Sequence, residues 1–314
     1  MNLIFCGTPE FAVPSLERLV MMDHNVMLVV TQPDRARGRG MIMTAPPVKQ
    51  AARRLDIPVI QPEKIKKNEE FQRQIAGLHP DAIIVVGYGR IIPPWMLELP
   101  PHGNINVHAS LLPKYRGAAP IQWAIAGGET VTGVTTMRLD EGLDTGDILL
   151  RRELAIDPED VSVTLSLRLA EVGADLLIET LSGLEQGSIR RIPQDNSLAT
   201  LAPILKKEDG LIDFRRTATE IHNRLRGFQP WPGAYTLFRG KSLKIIAALP
   251  VAQVPPVSAG ELDIQSYGSG ERLLSGCGAG TALDLLLVQP EGKKPITADE
   301  FIRGYRPAQA ERLG

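Results

Sequence analysis

The sequence has 314 residues, of which 43% are hydrophobic and 23% are charged, and its mean hydropathy is -0.04. At about 100–200 residues per domain, the chain is long enough for two domains, each with a core of its own. This composition excludes disordered and fibrous proteins. The longest apolar runs, such as Ala82–Val86, are far shorter than the roughly 18 residues that cross a bilayer, so we expect no membrane association.

The net charge of -1 results from 35 basic and 36 acidic residues, which excludes a protein that coats nucleic acid non-specifically. The charges are unevenly distributed, because residues 35–55 contain six basic residues and no acidic one. Only Cys6 and Cys277 occur, far apart, so neither a disulfide framework nor a structural metal site is expected. We therefore expect no metal. Since no signal peptide is visible in the sequence, we expect a cytoplasmic protein.

The first half of the chain alternates strand patterns with helical ones. Short, apolar, β-branched runs predict strands at Leu3–Cys6, Val26–Thr31, Pro58–Gln61 and Ala82–Gly87. Strands that alternate with helices pair in parallel through right-handed crossovers. The sequence therefore predicts an α/β domain with a doubly wound, mostly parallel sheet.

The same domain continues to residue 187. We predict three further strands, at Ile105–Ala109, Thr132–Leu139 and Ile148–Ile156. Two helices are also predicted, at Pro120–Ala126 and from about Ser162 to Leu184. Residues 188–206 lose periodicity and gain proline, which predicts a linker.

Residues 207–314 have a different texture. A helix is predicted at Thr217–Arg226, and short strand patterns interrupted by glycine and proline follow, at Ala234–Phe238, Leu243–Ile246 and Leu283–Val288. This pattern favours a small OB-like β-barrel domain. We interpret Trp231, between two prolines, as packing for the turn that enters it.

The turn after the first strand bears on one class of enzyme. A dinucleotide fold needs G-x-G-x-x-G there, so that the backbone can approach a pyrophosphate. Residues 7–10 supply one glycine and a proline instead, as Gly-Thr-Pro-Glu. A nicotinamide-dependent dehydrogenase is therefore not favoured.

Asn106 and His108 are the first candidates for chemistry. They are two apart in a predicted strand, so both side chains project from one face near its carboxyl end, where doubly wound sheets bind ligands. An asparagine amide can donate to a developing oxyanion, and an imidazole can accept a proton. The pair suits acyl transfer, although a structural histidine is the alternative from these two residues alone.

The segment of residues 137–147, which joins the next two strands, is rich in acidic residues and glycine. It contains Asp140, Asp144 and Asp147 together with two glycines, a composition typical of a tight turn that presents carboxylates. Calcium binding is the rival interpretation, but the spacing differs from that of an EF-hand loop.

Two motifs carry a resemblance to a known family. The run Asn106-x-His108-x-Ser110-Leu-Leu-Pro-x-Tyr-Arg-Gly117 and the later Gly142-Leu-Asp-Thr-Gly-Asp147 resemble the formyltransferases that use 10-formyltetrahydrofolate. The run Thr31-Gln-Pro-Asp-Arg35 and the run Phe228-Gln-Pro-Trp-Pro-Gly-Ala-Tyr235 extend the resemblance to the whole chain. It implies a formyl-transfer domain, a linker and an OB-like domain.

The resemblance also implies roles for single residues. The family's catalytic residues fall on Asn106, His108 and Asp144, and its folate-binding tetrapeptide falls on Ser110, Leu111, Leu112 and Pro113. We expect folate to enter near residues 86–90. Whether His108 or Asp144 takes the proton from the attacking amine stays open.

The basic segment acquires a meaning through the same resemblance. In members of the family that act in translation initiation, the acceptor is the α-amine of methionine on initiator tRNA, and a loop after the second strand contacts the acceptor stem. This implies tRNA contacts by Arg37, Arg39 and Gly40. In the C-terminal domain, tRNA contacts are permitted but not required at Lys206, Lys207, Arg239, Lys241 and Lys244.

Three other functions are alternatives. The chain could formylate a small amine such as glycinamide ribonucleotide or an amino sugar nucleotide, or it could hydrolyse the formylfolate. It could also be a non-catalytic RNA-binding protein. The basic loop and the second domain favour a charged tRNA, and we expect a monomer.

Overall fold

A computed structural model describes residues 1–37, 40–252, 257–268 and 270–314, without the side chains of Arg37 and Tyr267. Contacts divide the chain into two compact units. Unit 1 consists of Met1–Pro120, Val131–Ala155 and Leu165–Pro203, and unit 2 of Ile121–Thr130, Ile156–Thr164 and Ile204–Gly314. The domain boundaries predicted at residues 187 and 207 stay a prediction.

Unit 1 is built on a seven-stranded sheet. In chain order its strands and those of a separate hairpin are β1 (Asn2–Gly7), β2 (Asn25–Val30), β3 (Arg35–Arg37), β4 (Ile42–Thr44), β5 (Val59–Ile60), β6 (Ala82–Val86), β7 (Asn104–His108), β8 (Val131–Arg138) and β9 (Ile148–Ala155). The sheet order is β5-β2-β1-β6-β7-β8-β9, and β3 pairs with β4 in a separate hairpin. The first five strands in that order pair in parallel, whereas β8 pairs antiparallel with both β7 and β9.

Six α-helices occur in the described part of residues 1–203. They are α1 (Val13–Met21), α2 (Pro47–Arg54), α3 (Glu69–Ala76), α4 (Pro94–Leu97), α5 (Pro120–Ala126) and α6 (Ser162–Glu185). The last two of them, α5 and α6, each include residues of both units. Every residue of β6 is buried, as an apolar strand covered on both faces should be. The strand order reverses between β1 and β6, which is where doubly wound sheets form a crevice at their carboxyl ends.

Unit 2 carries an antiparallel sheet. Its elements are α7 (Ala218–Gly227), β10 (Ala234–Phe238), β11 (Lys241–Val251), β12 (Leu262–Tyr267), β13 (Gly270–Gly276), β14 (Ala282–Pro290), β15 (Ile296–Thr297) and α8 (Ala298–Tyr305). The order is β10-β11-β14-β13-β12, with β15 on β14. Capping boxes start both helices, at Thr217 with Glu220 and at Thr297 with Glu300.

The predicted fold class is confirmed in both parts: a mostly parallel doubly wound sheet and a separate small antiparallel β domain. The hairpin β3–β4 was not predicted, because its charged and glycine-rich sequence is typical of a loop. In the part of the chain that the structure describes, no helix combines the length and apolarity needed to cross a membrane.

Candidate active site

Asn106 and His108 lie at the carboxyl end of β7, beside the crevice. Their side chains are nearly buried, with 8% and 6% of the residue surface exposed. In the antiparallel pairing with β8 they lie opposite Met137 and Thr135. The sheet therefore fixes both groups on one face and leaves each a small exposed surface.

A backbone carbonyl determines which nitrogen of His108 carries the proton. Nε2 lies 3.0 Å from the carbonyl oxygen of Tyr115. Because a carbonyl oxygen can only accept, Nε2 donates, and in the neutral ring Nδ1 keeps a free lone pair. His108 is thus arranged to accept a proton at Nδ1.

Asp144 faces that nitrogen. Its Oδ2 lies 3.7 Å from Nδ1 of His108, and the same oxygen accepts a hydrogen bond of 2.8 Å from the N–H of Gly117. A neutral ring that carries its proton on Nε2 has none on Nδ1 to donate to the carboxylate. The distance of 3.7 Å between Nδ1 and Oδ2, longer than a hydrogen bond, agrees with this. Once Nδ1 is protonated, Asp144 supplies the opposite charge.

The backbone around Asp144 takes uncommon conformations. Asp144 has a φ of 53°, in the left-handed region where aspartate is tolerated better than most residues. Gly117 has a φ of 122°, and a Cβ there would lie 2.6 Å from the carbonyl oxygen of Ala202. A Cβ on Gly146 would collide with the carbonyl of Arg138. The glycines let two loops approach closely enough to bring Asp144 to His108.

The side-chain amide of Asn106 is available to a ligand. Across the described ranges of the chain, no side chain or backbone group forms a hydrogen bond with it, although the residue is only 8% exposed. A nearly buried donor without a protein partner costs free energy unless water or a ligand satisfies it. Asn106 can therefore donate to an oxygen bound in front of β7.

The predicted folate-binding tetrapeptide, Ser110–Pro113, is divided between core and surface. Ser110 and Leu112 are fully buried, and Leu112 packs in a small cluster beside β8 and β9. The Ser110 hydroxyl donates to the Lys114 carbonyl at 2.6 Å, so it is already used. Leu111 and Pro113 keep partial exposure. Contact of this segment with folate stays a prediction.

The loop after β6 lies next to the loop after β1. The Thr8 hydroxyl donates to the Tyr88 carbonyl at 3.1 Å, and the Gln32 amide donates to the same oxygen at 2.9 Å. Burial raises the pKa of Tyr88, whose hydroxyl has no partner among the residues described. These contacts hold residues 87–90 at the edge of the crevice where folate was expected to enter.

The hairpin β3–β4 occupies the basic segment. Its apolar residues point outward: Met41, Ile42 and Met43 are 70%, 71% and 64% exposed. Arg35 donates to the side-chain oxygen of Gln32 at 3.1 Å. Of the predicted tRNA contacts, Gly40 lies exposed in the turn, whereas Arg39 and the side chain of Arg37 lie outside the described residues.

Lys49 does not behave as a free basic residue. It is 8% exposed, and its Nζ lies 2.8 Å from both carboxylate oxygens of Asp34 and 2.5 Å from Oε1 of Gln61. The hydrogen bond from Lys49, followed by that from Gln61, lowers the pKa of Asp34. Lys49, one of the six basic residues of 35–55, therefore anchors the chain next to the hairpin.

Two interpretations for unit 2 need revision. Trp231 is 56% exposed, so it does not pack in the interior, whereas the nearby Phe228 is buried and packs edge to face with Trp123 at 5.2 Å. Arg239 donates to both carboxylate oxygens of Glu311, at 2.7 and 2.9 Å, which weakens it as a candidate for phosphate contact.

Neither thiol is part of the site. Cys6 and Cys277 are both free and buried, as the interpretation of Cys6 as a core residue requires. Burial raises the pKa of the Cys6 thiol and raises that of Cys277 to about 12. Both remain protonated and unreactive near neutral pH. Over the described ranges, no three His, Cys, Asp or Glu side chains are grouped so that they could hold a metal.

Comparisons with known proteins agree with this geometry. The family model described as formyl transferase matches residues 1–181, and the model of the formyl transferase C-terminal domain matches residues 204–306. A methionyl-tRNA formyltransferase of Koribacter versatilis is 64% identical over 314 residues, which is 100% of this chain and 99% of that protein. The chain belongs to the methionyl-tRNA formyltransferase family.

Further relatives of this family cover the chain equally well. A methionyl-tRNA formyltransferase of Acidobacterium capsulatum is 56% identical over 100% of both chains. Among solved structures, an N-formyltransferase from Helicobacter canadensis in complex with folinic acid and dTDP-3-aminofucose has a TM-score of 0.65 at 19% identity. It covers 92% of this chain and 98% of its own, and at that identity the likeness concerns the fold.

Proposed function

We propose that this protein transfers the formyl group of 10-formyltetrahydrofolate to the α-amine of methionine esterified to initiator tRNA. The observation that carries the proposal is the arrangement of the Asn106 amide, the His108 ring and the Asp144 carboxylate, in a chain 64% identical to a methionyl-tRNA formyltransferase. We further propose that it acts as a monomer in the cytoplasm, to which two unpaired thiols are suited.

Asn106 stabilises the charge that develops in the reaction. When bound, the folate would supply the formyl carbon to which the amine nitrogen bonds, while the formyl oxygen gains negative charge. The bond between that carbon and N10 of the folate then breaks, and tetrahydrofolate leaves with N10 carrying the proton that His108 took from the amine. The Asn106 side-chain amide, which has no hydrogen-bond partner among the described residues, is the donor for that oxygen. Removing one such donor typically lowers kcat by about 10²–10³.

His108 accepts the proton that the attacking amine must lose. Its Nε2 is committed to the Tyr115 carbonyl, so Nδ1 is the basic atom. Asp144, 3.7 Å away, stabilises the imidazolium that results. An α-amine with a pKa of roughly 8 is partly neutral near pH 7, so it needs less activation than a hydroxyl nucleophile would.

The residues around the crevice fit a folate. A flat aromatic cofactor needs apolar surface and a few polar contacts. Apolar surface comes from the partly exposed Leu111 and Pro113 and from residues 87–90, which hydrogen bonds hold in place. The side-chain amide of Asn106 offers the polar contact. Leu111, Pro113 and the 87–90 loop would hold the folate, and Asn106 would meet the formyl oxygen.

The hairpin β3–β4 contacts the tRNA. Gly40 lies exposed in its turn. The basic side chains of Arg37 and Arg39 would neutralise phosphates of the acceptor stem. The exposed Met41, Ile42 and Met43 give the hairpin an apolar surface against which an unpaired terminal base can pack.

Formyl transfer to different acceptors tests the proposal. We would supply 10-formyltetrahydrofolate with charged initiator tRNA, free methionine, glycinamide ribonucleotide, an amino sugar nucleotide or no acceptor. We expect transfer only to the charged tRNA. Transfer to a small amine, or formate release without an acceptor, would keep the chemistry and overturn the acceptor.

Variants separate the roles within that assay. Asn106→Ala should lower kcat by about 10²–10³ with little change in KM for the tRNA. Arg39→Ala should instead raise the KM for charged tRNA and leave its kcat near the wild-type value. An Arg39→Ala enzyme with an unchanged KM would remove the hairpin from the interface.

A further inference from the structure

Three polar side chains lie behind the candidate site and play no part in the chemistry described above. They are Arg116, which is 6% exposed, and Gln194 and Asn196, which belong to the segment predicted as a linker. The Arg116 guanidinium donates to Oε1 of Gln194 from Nε at 3.0 Å and from Nη2 at 2.7 Å, and also to Oδ1 of Asn196 at 2.9 Å. We call these three residues the Gln194 network.

The amide nitrogen of Gln194 reaches the loop that carries Asp144. It donates to the carbonyl oxygen of Asp144 at 2.9 Å and to that of Gly146 at 2.7 Å. Both carbonyls belong to the turn in which Asp144 has its left-handed backbone. Fixing the two carbonyls fixes the direction of the Asp144 side chain.

Arg116 determines the orientation of this amide. A guanidinium can only donate, so it must face the side-chain oxygen of Gln194, and the NH₂ group must then face the two carbonyls. A flipped amide would place donor against donor and acceptor against acceptor. The arrangement therefore requires both the length and the two-sided chemistry of glutamine.

The backbone on both sides of Gln194 is also fixed. Ile192 exchanges two hydrogen bonds with Ile148, at 2.8 and 2.9 Å. Farther along, Arg116 donates its N–H to the Thr200 carbonyl at 2.9 Å and accepts from the N–H of Ala202 at 2.7 Å. Gln194 therefore approaches the Asp144 loop from a segment that unit 1 holds before and after it.

We infer that Gln194 is a positioning residue for formyl transfer: it holds Asp144 against His108, and Arg116 holds Gln194. The inference rests on the proposed function, because Asp144 is the group through which Gln194 acts. It assigns a role in the site to a residue that the sequence pattern placed in a linker.

Two substitutions of Gln194 separate position from packing. Gln194→Glu keeps the size and the acceptor for Arg116 but loses both N–H donors, whereas Gln194→Ala loses the whole group. We expect both to lower kcat by about 10-fold to 100-fold, since a small displacement of a catalytic group has effects of this size. The KM for either substrate should change by less than about twofold. Gln186→Ala, at an exposed position, is the control and should match the wild type.

A double-mutant cycle with Asp144→Asn gives the decisive result. If Gln194 acts through Asp144, adding Gln194→Ala to Asp144→Asn should lower kcat by less than about twofold further. A loss that multiplies with that of Asp144→Asn would show a separate, structural effect and overturn the inference. Full activity of Gln194→Glu, or of Asp144→Asn alone, would also overturn it.

The wild-type enzyme distinguishes this failure from that of the proposed function. If the wild type does not formylate charged initiator tRNA, the proposed function fails. If it does, and the cycle is multiplicative, only the role of Gln194 fails. Thermal unfolding of each variant checks that losses of kcat do not come from unfolded protein.

Discussion

The Asp144 loop and the hairpin β3–β4 are two short connections of unit 1 that the structure holds in different ways. The Asp144 loop is bonded along its length, by Gly117 at the carboxylate and by Gln194 at two carbonyls. The hairpin is bonded where it leaves the sheet, through Arg35, and has exposed apolar residues at its far end.

The difference matches the two tasks that we propose for these regions, catalysis for the Asp144 loop and tRNA contact for the hairpin. Chemistry on a small group needs its catalytic atoms in place before the substrate arrives, because a misplacement of about 1 Å costs rate. Contact with a large nucleic acid can be completed after binding, so it tolerates a less constrained element. We therefore expect substitutions in the first region to change kcat and those in the second to change KM.

His108→Ala should have the largest effect of all. Loss of a general base typically lowers the rate by about 10²–10⁴, and the KM for charged tRNA should stay near the wild-type value. His102→Ala is the matched control, because His102 precedes β7 at its amino end. Comparable losses in the two variants would mean that histidine loss damages the domain rather than the chemistry.

Two substitutions of Asp144 sharpen the same half of the comparison. Asparagine tolerates the left-handed backbone and keeps the shape, so Asp144→Asn should lower kcat through lost charge while unfolding stays unchanged. Asp144→Ala should also lower the free energy of unfolding by about 1 kcal/mol, because alanine is disfavoured at this φ. Steady-state kinetics and thermal unfolding of both variants check these statements. Equal losses of stability in Asp144→Asn and Asp144→Ala would contradict them.

Lys49→Met tests the expectation that changes near the hairpin alter the KM for charged tRNA. Methionine keeps the aliphatic stem but removes the amine that binds Asp34 and Gln61, so the chain next to the hairpin loses its anchor. The KM for charged tRNA should rise about tenfold. The kcat should stay within about twofold of the wild type. Lys66→Met, at an exposed position, should change neither, and a Lys49→Met effect confined to kcat would refute the division between the two regions.

Sequence reasoning succeeded where the signal is local. The run Ala82–Val86 is apolar throughout and forms β6 as predicted, and the two-residue spacing of Asn106 and His108 places them on one face. Asp144, which faces His108, was identified through the motif resemblance. Their catalytic roles stay predictions.

What sequence reasoning missed depends on distant partners. Gln194 donates to the carbonyl of a residue 50 positions away and accepts from one 78 positions away, so nothing near it in the chain marks its role. The charge count of residues 35–55 included Lys49 but not its partner Asp34, which is 15 positions away and outside that segment. A count of charges cannot show which of them are already paired.

Acid should remove the anchor that Lys49 forms. The pKa of Asp34 is lowered by its hydrogen bonds, so its contribution to stability is complete above the unfolded value of roughly 4 and is lost as the pH falls through the lower folded value. The difference in melting temperature between the wild type and Lys49→Met should therefore be constant from pH 5 to 8 and shrink in stronger acid. A constant difference down to about pH 2 would contradict this account.

Ile42→Ser should have the smallest effect on stability. The side chain is 71% exposed, so its loss should change the free energy of unfolding by no more than about 0.5 kcal/mol. Its effect should be limited to a moderate rise in the KM for charged tRNA. Ile83→Ser, in the buried strand β6, is the contrast and should destabilise the protein strongly.

The burial of both cysteines also makes the protein convenient for spectroscopy. Since neither Cys6 nor Cys277 is exposed, and burial keeps both as unreactive thiols, a maleimide reagent should leave the native chain unlabelled. A single cysteine introduced at Met43 would then be the one reactive site. A fluorophore there could report on the arrival of tRNA without removal of either native cysteine.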